Sequence, residues 1–114
     1  MVLPGTMQVV SYQLFSECTA LQSVKLPSEL NEIGGRVFEK CSSLETINLP
    51  ENLTVIREWA FGNCNSLKDI NLPHNLTIIE KYAFYGCSVL EQVEIPSSVK
   101  SIGDYVFFGT AISD

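Results

Sequence analysis

A repeat of 23 residues runs through the chain and constrains its fold more than any other feature. The prolines stand at positions 4, 27, 50, 73 and 96, each 23 residues after the one before. Phenylalanine and cysteine keep the same step at Phe15, Phe38, Phe61, Phe84, Phe107, Cys18, Cys41, Cys64 and Cys87. A unit this short cannot bury its own apolar side chains, so each copy must stack on the next. The sequence therefore predicts a solenoid of about five copies.

The length and charge of the chain exclude several classes of protein. A chain of 114 residues that is 46% hydrophobic can bury one core, so residues 1–114 form a single domain, either complete or part of a longer array. The formal net charge of -6 argues against a nucleic-acid partner, because phosphate binding requires clustered Lys and Arg. No stretch approaches the roughly 20 apolar residues that cross a bilayer, so no membrane insertion is expected.

Each copy contains a predicted strand and a predicted turn. Ile47, Asn48 and Leu49 alternate apolar and polar and end at Pro50, which is typical of a short strand stopped by a residue without an N–H donor. Successive strands of this kind would form one parallel sheet. The stretches "WAFGNC" and "YAFYGC" predict a single helical or 3₁₀ turn on the return path. The Leu-x-x-Ile segment after each proline is either a second short strand or plain extended chain.

The complete pattern, CxxLxxIxLPxxLxxIxxxAFxxC, resembles the leucine-rich repeats of the BspA-like, Treponema-type family. The resemblance covers residues 1 to about 112, although the last copy departs from the pattern at Thr110 and Ile112. It implies a right-handed, mostly β solenoid with short parallel strands on its concave face. It also implies adhesion or protein binding at the cell surface or outside the cell, with host or extracellular-matrix proteins as partners. No signal peptide is visible in this chain.

Two surfaces are candidates for binding a partner. The first is the outward-facing set on the predicted concave sheet, for which a merely solvated sheet is the alternative: Ser23, Lys25, Thr46, Asn48, Asp69, Asn71, Gln92 and Glu94. The second is the aromatic column of Trp59, Tyr82 and Tyr105, with Tyr85 and Phe108 beside it. Aromatic residues are enriched at interface hot spots. Packing between coils explains this column equally well.

No enzymatic, cofactor or metal site is expected. His74 is the only histidine, and a catalytic histidine needs a nucleophile and an orienting acid nearby. The four cysteines are predicted to be reduced and to act as small core residues, because a stack in register rarely gives disulfide geometry. Zinc is not expected, since the chain has no C-x-x-C pair.

Two sequons, at Asn52 and Asn75, are glycosylation candidates in a secretory route, although simple duplication of one unit also explains them. Opposite charges one repeat apart are expected to help fix the register of the coils, in the columns Glu45, Lys68 and Glu91, then Glu58, Lys81 and Asp104, and also Arg57 with Glu80. Neither end of the chain resembles a polar cap. We therefore expect either a piece of a longer protein or head-to-tail homo-oligomers, and an architectural or self-assembling role is the alternative to partner binding.

Overall fold

Five short parallel strands form one sheet along the length of the molecule. The computed structural model describes residues 9–10 and 13–112, so the first proline, Pro4, lies outside the described residues. The strands are β1 (Val9–Val10), β2 (Glu32–Ile33), β3 (Val55–Ile56), β4 (Ile78–Ile79) and β5 (Ser101–Ile102), and they lie in the order β1-β2-β3-β4-β5. Each residue of a strand pairs with the residue one repeat later in the next strand, as Ile33 does with Ile56. The predicted solenoid is confirmed.

The strands form where a β-branched residue is buried and regular backbone hydrogen bonds join neighbouring coils. The second residue of β2, β3 and β4 is an isoleucine with no exposed surface, while the first is half-buried. The N–H of Thr54 donates to the Asn31 carbonyl at 2.9 Å, and that of Arg57 donates to the Ile33 carbonyl at 3.0 Å. Each coil thus donates from its strand side to the preceding coil.

The sheet lies in the segment after each proline, which the sequence had left open, and not in the segment where a strand was predicted. Among the described residues, the segments around Ile47, Ile70 and Val93 show a single paired bridge, Asp69 with Gln92. The predicted alternation of burial is present, since Ile47 is buried and Asn48 is exposed. No regular ladder follows, because the proline that ends each segment has no N–H to donate.

The described residues contain no regular helix, and the return path consists of single turns closed by hydrogen bonds between residues three apart, such as Glu39 to Arg36 at 3.2 Å. Arg36 and Lys40 both have left-handed backbone conformations, with φ of 58° and 61°. Their N–H groups donate to the next coil, at the carbonyls of Glu58 and Gly62, and so cannot bond back within their own turn. A helix requires all of these donors to point along its own axis.

The core is a column of stacked phenylalanine rings. Consecutive rings among Phe15, Phe38, Phe61, Phe84 and Phe107 have centroids 5.2 to 5.6 Å apart and planes within 12° of parallel. The three middle rings have no exposed surface. Each repeat therefore buries its largest apolar side chain against the copies before and after it, as the 23-residue step predicted.

Candidate functional site

A shallow groove of about 680 Å³ runs along one side of the solenoid. Its walls come from the segments that precede and include the prolines. We call this surface the groove face, defined as residues 23–25, 46–51, 69–74 and 92–96. Ile70 and Leu72 are buried beneath the groove, so polar side chains supply much of its surface, beside partly exposed apolar residues such as Leu49 and Ile95. The alternation of the sequence thus builds a polar surface on an apolar support.

Most of the sequence-predicted binding residues lie together on this face. The groove itself is lined by Asn48, Asp69, Asn71, Gln92 and Glu94. Lys25 and Thr46 are exposed on the same face but do not line the groove. Sequence reasoning missed Glu51 and His74, which also line it. They occupy the position just after the proline, where residue types vary so widely that only a solvated corner was expected.

The charged side chains that line the groove are all acidic. They are Glu51, Asp69 and Glu94, and neither lysine nor arginine is among the lining residues. Within residues 13–112, the ion pairs involve Arg36 and Arg57 with Glu32, Glu39 and Glu80, and these carboxylates lie outside the groove lining. The groove carboxylates are therefore left exposed to solvent without an ion-pair partner in the described structure.

The second candidate surface is a ladder of aromatic rings on the turns. Trp59 stacks on Tyr82 with centroids 4.7 Å apart, and Tyr82 stacks on Tyr105 at 5.7 Å. The Arg36 guanidinium covers the Trp59 ring at 5.1 Å. Trp59, Tyr82 and Tyr105 all have left-handed φ values between 57° and 61°. Most of the ring faces in this ladder are already occupied by neighbours, which favours a packing role.

The left-handed backbone conformation of these bulky residues is unfavourable in free energy, and the stacking of their rings offsets this. A non-glycine residue in this region costs about 1–2 kcal/mol. The Tyr82 N–H donates to the Asp104 carbonyl at 3.0 Å, and the Trp59 N–H donates to Lys81 at 3.3 Å. Each stacked aromatic pair contributes about 0.5–1.5 kcal/mol beyond its burial. The turn geometry and the aromatic ladder therefore support each other.

The cysteines are free and structural, as predicted for the described chain. The Cys41, Cys64 and Cys87 thiols donate to carbonyls of the preceding coil at 2.9 to 3.1 Å, and the acceptors are Phe15, Phe38 and Phe61. Burial raises the pKa of the Cys41 thiol to about 11. Contact with the Cys87 thiol, followed by burial, raises the pKa of Cys64 well above its usual value. The raised pKa values keep the Cys41 and Cys64 thiols protonated at neutral pH, so these two thiols are poor nucleophiles.

Ion pairs outside the groove join successive coils. The Arg57 guanidinium donates to Glu80 at 2.9 Å and to Glu32 at 3.0 Å, so it links three successive coils. Both hydrogen bonds raise the pKa of Arg57 above its usual value, and the bond to Glu32 has the larger effect. The expected pairing of Arg57 with Glu80 is confirmed, but within residues 13–112 neither Lys68 nor Lys81 forms an ion pair with the acidic residues of its column. Glu32 was missed because it lies 25 residues away, on a diagonal that a comparison in steps of 23 does not examine.

The two sequons have a structural explanation. The Asn52 and Asn75 amides donate to the Ser28 and Glu51 carbonyls at 3.3 and 2.8 Å. The hydroxyl groups of Thr54 and Thr77, two residues later, also donate to the preceding coil, both at 3.1 Å. The Asn-Leu-Thr tripeptide therefore joins neighbouring coils through both of its polar side chains. Glycosylation of Asn52 and Asn75 stays a prediction.

Within the part of the chain that the structure describes, no group of three or more His, Cys, Asp and Glu side chains is arranged to hold a metal ion. The same residues include no helix of the length and apolarity that a membrane span requires. His74 is exposed on the groove face.

Comparison with known proteins gives several similar structures. The Leucine Rich Repeat protein of T. pallidum is 38% identical, with a TM-score of 0.91, over 94% of this chain and 52% of that one. A leucine rich cell surface protein from Faecalibacterium prausnitzii is 32% identical, with a TM-score of 0.91, over all of this chain and 32% of that one. A leucine-rich repeat protein from Bacteroides capillosus is 27% identical, with a TM-score of 0.72, over 81% and 72% of the two chains.

The chain thus spans about half the length of the T. pallidum protein and about a third of the F. prausnitzii protein. The comparison with curated proteins gives no match. The sequence pattern of the BspA type leucine-rich repeat region matches residues 1–113 in six copies. This match, together with the likeness to the T. pallidum and F. prausnitzii proteins, shows that the chain belongs to the BspA type leucine-rich repeat family.

Proposed function

We propose that this chain is a non-enzymatic adhesion module that recognises a protein partner through its groove face. Leucine-rich repeat proteins are generally protein-interaction modules. One observation carries the choice of surface: the groove lining includes exposed polar side chains, among them Asn48, Asp69 and Asn71, that no described side chain engages. Polar groups of this kind are free to form specific hydrogen bonds with a partner.

The groove face is favoured over the aromatic ladder because of what each surface already contacts. Trp59 and Tyr82 are half-buried and are stacked on neighbouring rings. Asn48, Asp69 and Asn71 are exposed, and their side chains make no hydrogen bond within residues 13–112. A partner gains most by contacting groups whose bonding capacity is not already satisfied within the chain.

We propose that the module acts at a cell surface or outside the cell. The similar F. prausnitzii protein is described as a leucine rich cell surface protein. Extracellular-matrix proteins of a host are then the partners to test first. The net charge of -6 is compatible with a protein partner and disfavours nucleic acid.

Surface plasmon resonance against immobilised fibronectin, laminin and collagen tests this proposal. Asn71→Trp would fill the middle of the groove, while Asn65→Trp makes the same change at an exposed position outside it. We expect Asn71→Trp to abolish binding and Asn65→Trp to leave it unchanged. Binding that survives both changes would remove the groove from the proposal. The absence of any binding by the folded wild-type chain would favour an architectural spacer.

A further inference from the structure

We infer that the groove face selects a basic, extended polypeptide segment whose lysine or arginine side chains occupy alternate positions. This inference rests on the proposed function, since it names the chemistry of the partner that the groove would take. Its basis is the combination of the charge, the free bonding capacity and the spacing of the groove side chains.

Charge complementarity points to a cationic partner. Every charged residue that lines the groove is a carboxylate, and the carboxylates are Glu51, Asp69 and Glu94. Outside the groove, Glu32 and Glu80 already have a cationic partner, because both are held by Arg57. Lys25 is the single cation on the groove face, and it belongs to a coil that does not contribute to the groove lining. Binding a cation is thus the way for the groove carboxylates to gain partners.

The neutral residues of the groove favour a polypeptide over a small cation. Asn48, Asn71 and Gln92 each present a carboxamide, which both donates and accepts hydrogen bonds. Peptide N–H and C=O groups match this combination, since they offer one donor and one acceptor per residue. A simple cation would leave the carboxamide donors unused.

The spacing of two carboxylates matches an extended chain. Asp69 is the bridge partner of Gln92, and Glu94 is two residues beyond Gln92. A diagonal of this kind between paired segments spans roughly 7–8 Å. Side chains at alternate positions of an extended chain are about 6.7 Å apart. Two basic residues separated by one residue can therefore reach Asp69 and Glu94 together.

Fluorescence anisotropy with labelled peptides tests the inference. The probes are a seven-residue peptide in which lysine and threonine alternate, a peptide of the same composition with its lysines in one run, and an alternating glutamate and threonine peptide. We expect the alternating lysine peptide to bind most tightly. Equal binding of the two lysine peptides would refute the spacing, and equal binding of the glutamate peptide would refute the basic partner.

Two double variants that remove the same negative charge, one inside and one outside the groove lining, show where the peptide binds. The double variant Asp69→Asn, Glu94→Gln should weaken binding of the alternating lysine peptide about tenfold, because exposed ion pairs each contribute modestly. The control double variant Glu29→Gln, Glu45→Gln removes the same charge from exposed residues outside the groove lining and should weaken binding less than about twofold. Equal weakening by both double variants would mean that overall charge, and not the groove, attracts the peptide.

The two proposals can fail separately. If Asn71→Trp abolishes matrix-protein binding while Asp69→Asn, Glu94→Gln leaves it intact, the groove binds a protein and the basic chemistry is refuted. If the lysine peptide binds as expected but the wild-type chain binds none of the matrix proteins, the adhesion proposal fails and the preference for basic segments stands. Circular dichroism of each variant confirms that the fold is intact.

Discussion

The groove face and the turn side, which consists of residues 35–40, 58–63 and 81–86, are built from the same repeat but differ in what their side chains contact. On the turn side, Phe38, Phe61 and Phe84 have no exposed surface and stack at 5.2 to 5.3 Å. Hydrogen bonds run from each turn to the next, as from Phe38 to Ala60 at 2.8 Å. On the groove face, Asn48 and Asn71 are exposed, and a single bridge joins the coils of the described segments.

This difference indicates where the repeat must stay constant and where it is free to vary. A turn residue is in contact with its equivalents in two neighbouring coils, so a change there disturbs three coils at once. A groove residue mainly contacts solvent, so its identity is free to follow the needs of a partner. Four measurements test this difference between the two sides of the molecule.

Phe61→Ala should have the largest effect on stability. The ring is fully buried between Phe38 and Phe84, so its removal leaves a cavity in the middle of the stack. We expect a loss of about 3–5 kcal/mol in the free energy of unfolding, measured by urea denaturation. Tyr105→Ala, which truncates a ring that is 59% exposed, is the control and should cost much less. Equal losses would mean that the inner stack is not the main support.

Alkaline pH should weaken the fold through its buried thiols. The pKa of Cys41 rises from 9.0 to about 11 on folding, so the folded chain holds a proton that the unfolded chain has lost. This contribution to stability is complete below pH 9.0 and is lost as the pH rises through about 11. Urea midpoints across this interval measure the loss. Cys41→Ser keeps a hydrogen-bond donor without the titration, and an identical pH dependence in that variant would contradict the prediction.

Arg57→Ala should have a smaller effect, because its ion pairs are partly exposed. The Arg57 side chain is 38% exposed and joins Glu32 and Glu80. Exposed pairs contribute about 0–1 kcal/mol, so we expect a loss near the top of that range for two pairs. High salt should reduce the difference from wild type, because it screens exposed charges. Thermal unfolding of Lys68→Ala, which removes an exposed cation outside these pairs, provides the control.

Asn71→Ala should have the smallest effect on stability and a clear effect on binding. The side chain is exposed and makes no hydrogen bond within residues 13–112, so we expect a change below about 0.5 kcal/mol. The melting temperature and the affinity for the immobilised matrix protein should be measured on the same preparation. A large loss of stability would show that the groove face supports the fold, which would remove the contrast between the two sides.

Much of the fold followed from particular residues in the sequence. The equal spacing of the phenylalanines predicted a ring column, and the structure confirms it with plane angles of 2° to 12°. The alternation of Ile47 and Asn48 predicted which side chains face inward. Both predictions succeed because periodicity alone dictates stacking when a unit cannot bury its own core.

Other features did not follow from the sequence. The regular strands lie at Glu32–Ile33 and its equivalents, because hydrogen-bond geometry between coils decides which extended segments form a ladder. The bond from Arg57 to Glu32 depends on side-chain reach along a diagonal. Trp59 and Tyr82 adopt left-handed φ values that glycine would usually supply, and only their contacts with neighbouring coils make this conformation favourable.

The 23-residue step is enough to predict a stack of equivalent coils, since it leaves no other way to exclude water from the apolar side chains. Which polar residues remain unpaired follows only from the folded arrangement of the coils. Glu80 and Asp69 are both carboxylates, but one lies within reach of Arg57 and the other lines an open groove. Distance in space separates them, because a charge is satisfied by neighbours from other coils that the linear order does not reveal.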